Sequence, residues 1–380
     1  MRHKVVRAFG VLPVAVALVA LPACSKSNSS SGGSCGGVEL GYFGVLSGQN
    51  SPELGVNIYN GAKLAVDQHN AKHKNCKVNL KKFDSQGDPG QASTLAPTVI
   101  QDRKLVGVVG PAFSGESEAV LPAFNSAGLP VITASATRTS LGQKGWKVFH
   151  RGLGNDAQQG TAAAKYIKDD LKAQKVYVID DQSAYGAGLA DVVKQGLGSL
   201  VIGTDHVKQK DTDFSAAVGK VKSSGATVLF YGGYYAEAGP MLSQLKAAGV
   251  TATFISGDGS RDEGLIKAGG ASATEGALTT CPCAVKTGDK FATDYKAKWG
   301  KDPGIYSAEA FDAANIFLKG IDAGKTTRPK MLTYVNGYQG QGETKHFKFD
   351  SHGELDKSSV VVWLYKVQNG AIVLDKQLKL

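Results

Sequence analysis

Several loops rich in glycine and hydroxyl residues are the parts of this sequence that could do chemistry. They read LSGQNSPELG, GPAFSGES, TASATRTS, DDQSAYGAG, YGGYYAEAG and SGDGSRDEG. Small hydroxyl residues ahead of a helix present side-chain O–H and backbone N–H groups together, which suits a carboxylate. Tyrosines supply an apolar wall with a polar tip, and Asp258 supplies an acid that can hold a cation. Together these loops predict a pocket for a zwitterion.

The elements that must position these loops alternate between strand and helix patterns. Short, mostly apolar runs lie at 38–46, 78–83, 105–110, 129–134, 176–181, 227–231 and 253–256. Helical patterns separate them, which is typical of βαβ units and parallel sheets. Ligands of open α/β sheets bind beyond the carboxyl ends of the strands, where these loops lie. One sheet rarely holds so many units, so we predict an α/β fold with two doubly wound parallel-sheet lobes.

The amino terminus predicts export and a lipid anchor. Basic residues precede an apolar stretch at 9–21, which is the order of a secretory signal and too short to span a bilayer. LPAC at 21–24 resembles a bacterial lipobox, in which the signal is cut before Cys24 and the thiol carries the lipid. We therefore expect a signal peptide at 1–23, a flexible tether at 24–37 and attachment to the outer face of the plasma membrane. The alternative is an ordinary signal peptide cleaved nearby.

Composition and motifs exclude several function classes. A hydrophobic content of 42% supports real cores, and no segment after the signal has the apolar run of a membrane span. The formal net charge of +10 comes from scattered lysines, without the aromatic-interleaved basic clusters that indicate nucleic acid. The sequence has no G-x-S-x-G elbow, P-loop, G-x-G-x-x-G fingerprint or H-E-x-x-H pair. We therefore expect neither an enzyme nor a nucleic-acid partner.

The cysteines other than Cys24 form an even set in an exported chain, which favours disulfides. Cys35 lies just before the first apparent strand, and Cys76 opens the second. Neighbouring parallel strands would bring both starts to one sheet edge, so these cysteines are within bridging reach. Cys281 and Cys283 are then left to pair with each other. A metal site at this CxC is the alternative, but no second Cys or His pair lies nearby in the sequence. The histidines are dispersed and receive no role, so no metal is expected.

Almost the entire chain from Val38 onward resembles the branched-chain amino-acid binding proteins of ABC importers. Spaced motifs carry the resemblance, among them NGAKLAVDQHNA, GPAFSGES, PVITASAT, AYGAGLADVVKQGL and ATFISGDG. The resemblance implies a type I periplasmic-binding fold, in which a multi-strand hinge joins the lobes. One lobe would comprise 38–153 and 284–357, and the other 154–283 and 358–380. It also implies a monomer without cofactors, which captures an amino acid, branched-chain or related aliphatic, and delivers it to a membrane permease.

Carried over residue by residue, the family's ligand positions fall on Leu54, Ser114, Ser135, Thr137, Tyr185, Tyr234, Asp258 and Tyr306. The resemblance assigns the ligand carboxylate to the three hydroxyl residues, with Ser135 acting through its backbone. It assigns the ammonium to Tyr234 and Asp258, and the remaining three residues to the wall. The relatives carry Glu in place of Asp258 and an aromatic in place of Leu54. Because the acid is shorter and the wall smaller, the specificity stays open.

Each assignment has a structural alternative. Ser114 and Thr137 could merely cap helices, Tyr185 could be a core aromatic, and Asp258 could be an ordinary turn residue. The relatives also bridge two loops through cysteines where this chain has Gly87 and Phe113, so Cys35 and Cys76 would staple this lobe differently. The alternative function is a ligand-sensing receptor of the same fold for an amino acid, amide or small organic acid. An end at Leu380 without an output domain favours delivery to a permease.

Overall fold

A computed structural model describes residues 35–284 and 288–380, together with Ala8 and Gly10. The predicted signal peptide, Cys24 and most of the tether lie outside these residues. Residues 33–380 form one unit, to which all that follows refers. Cys35, placed in the tether by the sequence, is 6% exposed and bonded to Cys76. Cys35 therefore belongs to the folded part of the chain and not to a flexible tether. In the ranges 35–284 and 288–380, no helix combines the length and apolar character of a membrane span.

The first sheet has five parallel strands in the order β2-β1-β3-β4-β5. Its strands are β1 Glu39–Gly44, β2 Asn79–Asp84, β3 Leu105–Val109, β4 Val131–Thr133 and β5 Phe149–Arg151. The helices between them are α1 Pro52–Lys72, α2 Pro89–Gln101 and α3 Ser114–Ser126. Every residue of β3 and β4 is buried, as expected for parallel strands that are covered on both faces.

The second sheet has seven strands in the order β14-β13-β10-β9-β8-β6-β7. Its parallel strands are β6 Val176–Asp180, β7 Val201–His206, β8 Val228–Gly232, β9 Thr253–Ser256 and β10 Leu278–Cys281. Two antiparallel strands, β13 Val362–Gln368 and β14 Ala371–Leu378, extend one edge. The associated helices are α4 Asp156–Asp169, α5 Ala184–Leu197, α6 Ser215–Ser224, α7 Tyr235–Ala247, α8 Glu263–Gly269 and α9 Ala271–Thr274. The predicted α/β fold with two parallel sheets is confirmed.

The chain passes between the two sheets three times. It leaves the first sheet after β5, returns after β10 and leaves again before β13. The returning segment forms α10 Lys290–Trp299, α11 Ser307–Asp322, α12 Arg328–Asn336 and the hairpin strands β11 Gln339–Gln341 and β12 His346–Lys348. Helix α11 packs on α1 and β3 of the first sheet. At the second crossing, Cys281 at the end of β10 is bonded to Cys283.

Helices α1 and α11 approach each other closely at a glycine. A Cβ atom on Gly61 of α1 would lie 1.8 Å from the backbone oxygen of Ser307, the first residue of α11. Real Cβ atoms do not come so near to a backbone oxygen, so this helix pair requires glycine here.

We therefore expect Gly61→Ala to lower the free energy of unfolding by about 1–3 kcal/mol, because overpacking forces the two helices apart. Denaturant unfolding would measure the change. The matched control is Gly219→Ala in the middle of α6, where an added Cβ meets no atom within 4 Å. Alanine should stabilise that helix by about 0.5–1 kcal/mol. A Gly61→Ala variant as stable as the parent would contradict this close packing.

Candidate functional site

A small cavity lies between the two sheets, at the carboxyl ends of strands from both. The space inside it that is open to water is only about 10 Å³, which is room for about one water molecule. The residues that line it are Leu54, Phe113, Ser114, Ser135, Tyr185, Tyr234, Asp258, Gly259 and Tyr306. The structure thus brings together all the positions matched to family ligand positions except Thr137. Phe113 and Gly259 were not assigned from the sequence, although each adjoins an assigned residue.

The loops of the first sheet present a helix start and two hydroxyl groups. Phe113 is the N-cap residue of α3, and Ser114 is its first residue. The Ser114 oxygen accepts the backbone N–H of Arg138 at 3.2 Å, and the Ser135 hydroxyl donates to the carbonyl of Ala112 at 2.5 Å. These bonds hold the loops in place. The N–H groups of the first turn of α3 have no partners within the helix, which suits them to an anion.

Thr137 lies behind the cavity lining. Its carbonyl oxygen accepts the backbone N–H of Asp156 at 2.8 Å. Its hydroxyl is fully buried and, in the part of the chain that the structure describes, has no hydrogen-bond partner. Thr137 therefore sits beside a buried acid rather than on the cavity surface.

On the second sheet, the Asp258 carboxylate is bonded by two tyrosines. Tyr185 donates its hydroxyl to Oδ1 of Asp258 at 2.7 Å, and Tyr306 donates to Oδ2. The backbone N–H of Gly259 donates to the Tyr185 oxygen at 2.9 Å, which orients that hydroxyl toward the acid. Asp258 is 1% exposed, and burial raises the pKa of its carboxyl while the tyrosine hydroxyls oppose that shift. A cation brought into this cavity would find a dehydrated carboxylate already in position.

The tyrosines remain hydroxyl donors because of the same environment. Burial, followed by the Asp258 charge, raises the pKa of Tyr185 and of Tyr306 well above the ordinary value. Tyr306 also has a backbone φ of 66°, a left-handed conformation that is uncommon for a bulky residue. Such strain persists only where surrounding structure fixes it, and it clusters at functional sites.

Aromatic rings form the apolar wall of the cavity. The ring of Tyr234 lies 4.5 Å from that of Phe113 and 5.1 Å from that of Tyr185, between ring centroids. Leu54, in the first turn of α1, adds an aliphatic surface. A Cβ atom on Gly87 would lie 3.2 Å from the Phe113 ring, so these two residues are neighbours at the edge of the wall. This wall suits an apolar group attached to the polar one.

A second buried acid, Asp156, was missed by the sequence analysis. It is the first residue of α4 and is 1% exposed. Among the residues that the structure describes, neither of its carboxylate oxygens has a hydrogen-bond partner. Burial, and then the charge of Asp258, raises the pKa of Asp156 to about 8. The sequence signals only a helix start at this position, so its proximity to Asp258 could come only from the fold.

Several hydrogen bonds join the two sides of the cavity. Tyr235 of α7 accepts the backbone N–H of Glu53 of α1 at 3.3 Å. On the opposite flank, Arg138 donates to the carbonyl of Ala184 at the start of α5. The loops of the two sheets are therefore in direct contact around the cavity.

Two parallel sheets that enclose a small polar and aromatic cavity between their strand ends define a solute-binding protein with the type I periplasmic-binding fold. Residues 37–367 match the periplasmic binding protein family, and the chain belongs to this family. It is a family of solute-binding proteins rather than of enzymes.

Similar proteins come from several bacteria. An amino acid binding protein of Pseudomonas aeruginosa is 30% identical over 86% of this chain and 89% of its own length. A leucine-, isoleucine-, valine-, threonine- and alanine-binding protein of the same organism is 30% identical over 80% of this chain and 83% of its own. The crystal structure of LivJ, the branched-chain amino acid transporter substrate binding protein of Streptococcus pneumoniae, in complex with isoleucine, superposes with a TM-score of 0.82. That match covers 90% of this chain and 99% of LivJ at 23% identity.

Proposed function

We propose that this protein is an extracytoplasmic solute-binding lipoprotein that captures an amino acid, branched-chain or related aliphatic, and delivers it to an ABC importer. The observation that carries the proposal is the buried Asp258 carboxylate, which shares one cavity with the start of α3. A negative group from the second sheet and a helix N-terminus from the first are complementary to the two charges of an amino acid.

In this proposal the ligand ammonium lies against Asp258 and Tyr234. An unpaired charge is costly to bury, so a ligand cation and the Asp258 carboxylate stabilise each other once water is excluded. The ligand carboxylate takes the N–H groups at Ser114 and Ser135, and its side chain packs against the aromatic wall. The names of the relatives, which bind amino acids, support this choice of ligand.

The proposed lobes comprise 38–153 with 284–357 and 154–283 with 358–380, and the protein acts as a monomer. Sheet membership of the strands supports this division. Because residues from both sheets line one cavity, the ligand enters when the lobes part and is enclosed when they close. The contacts of Tyr235 and Arg138 across the cavity favour the closed form.

A ligand screen tests the proposed function. Thermal unfolding would be measured with leucine, with its des-amino acid and with its amide, and then with the other standard amino acids. A ligand at a hundred times its dissociation constant stabilises the folded state by about 2.7 kcal/mol. We expect stabilisation by aliphatic amino acids and none by the acid that lacks the ammonium. Equal stabilisation by that acid would overturn the amino-acid proposal.

The proposed lipid anchor predicts that Cys24→Ser releases the protein from membranes or stalls its processing. The thiol of Cys24 is the attachment point, and without the acyl chains nothing holds the exported chain at the bilayer. Fractionation of cells with detergent extraction would measure this, with Ser27→Ala as the matched control. A Cys24→Ser variant as firmly attached as the parent would contradict the anchor.

A further inference from the structure

Two histidines and an aspartate meet at the far end of the helix pair α1 and α11, away from the cavity. His69 lies in the last turn of α1, His73 directly follows that helix, and Asp322 is the last residue of α11. The possible ligand atoms of these three side chains all lie within 4.8 Å of one another, so they could hold a metal ion. Among the described residues, no other group of three His, Cys, Asp or Glu side chains is placed in this way. These histidines have no role that the sequence alone assigns, because only the packing of α11 on α1 adds the carboxylate.

The spacing of the candidate ligand atoms fits a metal ion. Oδ1 of Asp322 lies 3.0 Å from Nε2 of His69 and 3.4 Å from Nδ1 of His73. In a tetrahedral site with metal–ligand bonds of about 2.0–2.1 Å, the ligand atoms are about 3.3 Å apart. The imidazole rings are stacked at 4.3 Å. Because the lone pair of a ring nitrogen lies in the ring plane, the exposed His73 ring must rotate out of this stack before both nitrogens point at one ion.

The surroundings hold the first ligand and leave the other two accessible. The His69 side chain is 5% exposed, and its Nδ1 lies 3.3 Å from the amide oxygen of Asn70. Asn70 is itself fixed by hydrogen bonds of 2.8 Å to the backbone N–H and carbonyl of Val78. Such outer partners set the ring orientation of metal-binding histidines. His73 and Asp322 are 43% and 34% exposed, so an ion can reach the site from solvent.

The backbone around the site is also restrained. The carbonyl of His73 accepts the N–H of Cys76 at 3.1 Å, and Cys76 is cross-linked to Cys35. The close contact at Gly61 fixes α1 against α11, which keeps His69 and Asp322 on facing surfaces. Because the backbone of the site is already restrained, metal binding requires little further ordering of the main chain.

We propose that His69, His73 and Asp322 form a binding site for a divalent transition-metal ion of the Zn²⁺ class, with water completing its coordination. Two imidazoles and one carboxylate favour Zn²⁺ and its neighbours over Mg²⁺ and Ca²⁺, which prefer all-oxygen sites. The bound ion fastens the ends of α1 and α11. Since the site lies at the opposite ends of these helices from Leu54 and Tyr306, we expect it to act on stability and to leave solute binding unchanged.

Calorimetric titration of the full-length protein, without a histidine tag, tests the site. At about pH 7.5, ZnCl₂ should bind at one site per chain and raise the unfolding temperature, and MgCl₂ should do neither. Loss of an outer-shell partner typically costs about 10–100-fold in metal affinity, so loss of a ligand in His73→Gln or Asp322→Asn should cost at least about tenfold.

His206→Gln is the matched control, because Nδ1 of His206 lies 2.9 Å from the carboxylate of Asp180 but, among the described residues, His206 belongs to no group of three possible metal ligands. It should bind Zn²⁺ as the parent does. Both ligand variants alter exposed side chains, and their unfolding curves without metal should match the parent and so establish that they fold. Zn²⁺ binding of parental strength in both ligand variants, or no Zn²⁺ binding by the parent, would overturn the site.

Discussion

Asp258→Asn is expected to weaken amino-acid binding about thirtyfold or more. Asparagine keeps the shape of the side chain and can still accept a hydrogen bond from Tyr185 or Tyr306, but it removes the charge that a ligand ammonium needs. Loss of one partner of a buried, hydrogen-bonded charge pair costs about 2–5 kcal/mol, and each 1.4 kcal/mol is a factor of ten. Titration calorimetry with the amino acid identified by thermal screening would measure the change.

The matched control is Asp205→Asn, which also removes one negative charge from the second sheet. Asp205 pairs with Lys220 at 2.9 Å near the surface and does not line the cavity. Its substitution should leave ligand affinity unchanged. In the free protein at neutral pH, Asp258→Asn should not reduce stability, because burial raises the pKa of Asp258 and thus disfavours its charged form. An Asp258→Asn variant with parental affinity would show that the ligand presents no ammonium to this residue.

The cavity could be located from the sequence because parallel sheets follow a simple rule. Alternating strand and helix patterns predict the sheets, and ligands of such sheets lie where strands end and helices begin. Asp258 stands at such an end, two residues after β9, and Tyr234 stands at another, two residues after β8. The order of strands in the sheet is therefore enough to place Asp258 and Tyr234 close together. The resemblance to a known family implies the same strand order.

Other features depended on contacts that no local pattern encodes. Asp156 reaches Asp258 because the chain crosses between the sheets just before α4. His69 and His73 are four residues apart, which brings both to the C-terminal end of α1. Their carboxylate partner, Asp322, is more than two hundred residues further along the chain, and only the close contact between α1 and α11 brings it near. Contacts between residues so far apart in the chain cannot be predicted from the local patterns of one sequence.

Asp156 is expected to couple solute binding to proton release. Burial, and then the neighbouring Asp258 charge, raises its pKa to about 8, against the opposing charges of Arg151 and Arg138. The carboxyl is therefore largely protonated in the free protein at neutral pH. The pKa of Asp156 in the folded chain therefore lies above the ordinary 3.8. The contribution of this carboxyl to the free energy of unfolding is complete below pH 3.8 and is lost as the pH rises toward 8.

A ligand ammonium placed at Asp258 favours the charged form of both acids, so it lowers the pKa of Asp156 and expels a proton. When binding releases one proton, the ligand affinity rises by at most about tenfold for each unit of increasing pH. This rise is confined to the pH range between the pKa of Asp156 in the bound protein and its pKa in the free protein. We expect the affinity to rise about tenfold between pH 6 and pH 7.5. Calorimetry in two buffers with different ionisation enthalpies would count the released protons directly.

Asp156→Asn separates this linkage from other effects of pH. The variant keeps the volume of the side chain but cannot ionise, so its ligand affinity should be nearly flat over the same pH range and its proton release should vanish. Without ligand, it should be more stable than the parent at pH 8, where the parent must hold an unpartnered buried charge. Below about pH 3 the two should differ little, because the parental carboxyl is then mostly neutral in both the folded and the unfolded chain. A variant that kept the parental pH dependence would place the released proton on another acid, such as Asp258 in the cavity lining or Glu116 in α3, whose pKa values burial also raises.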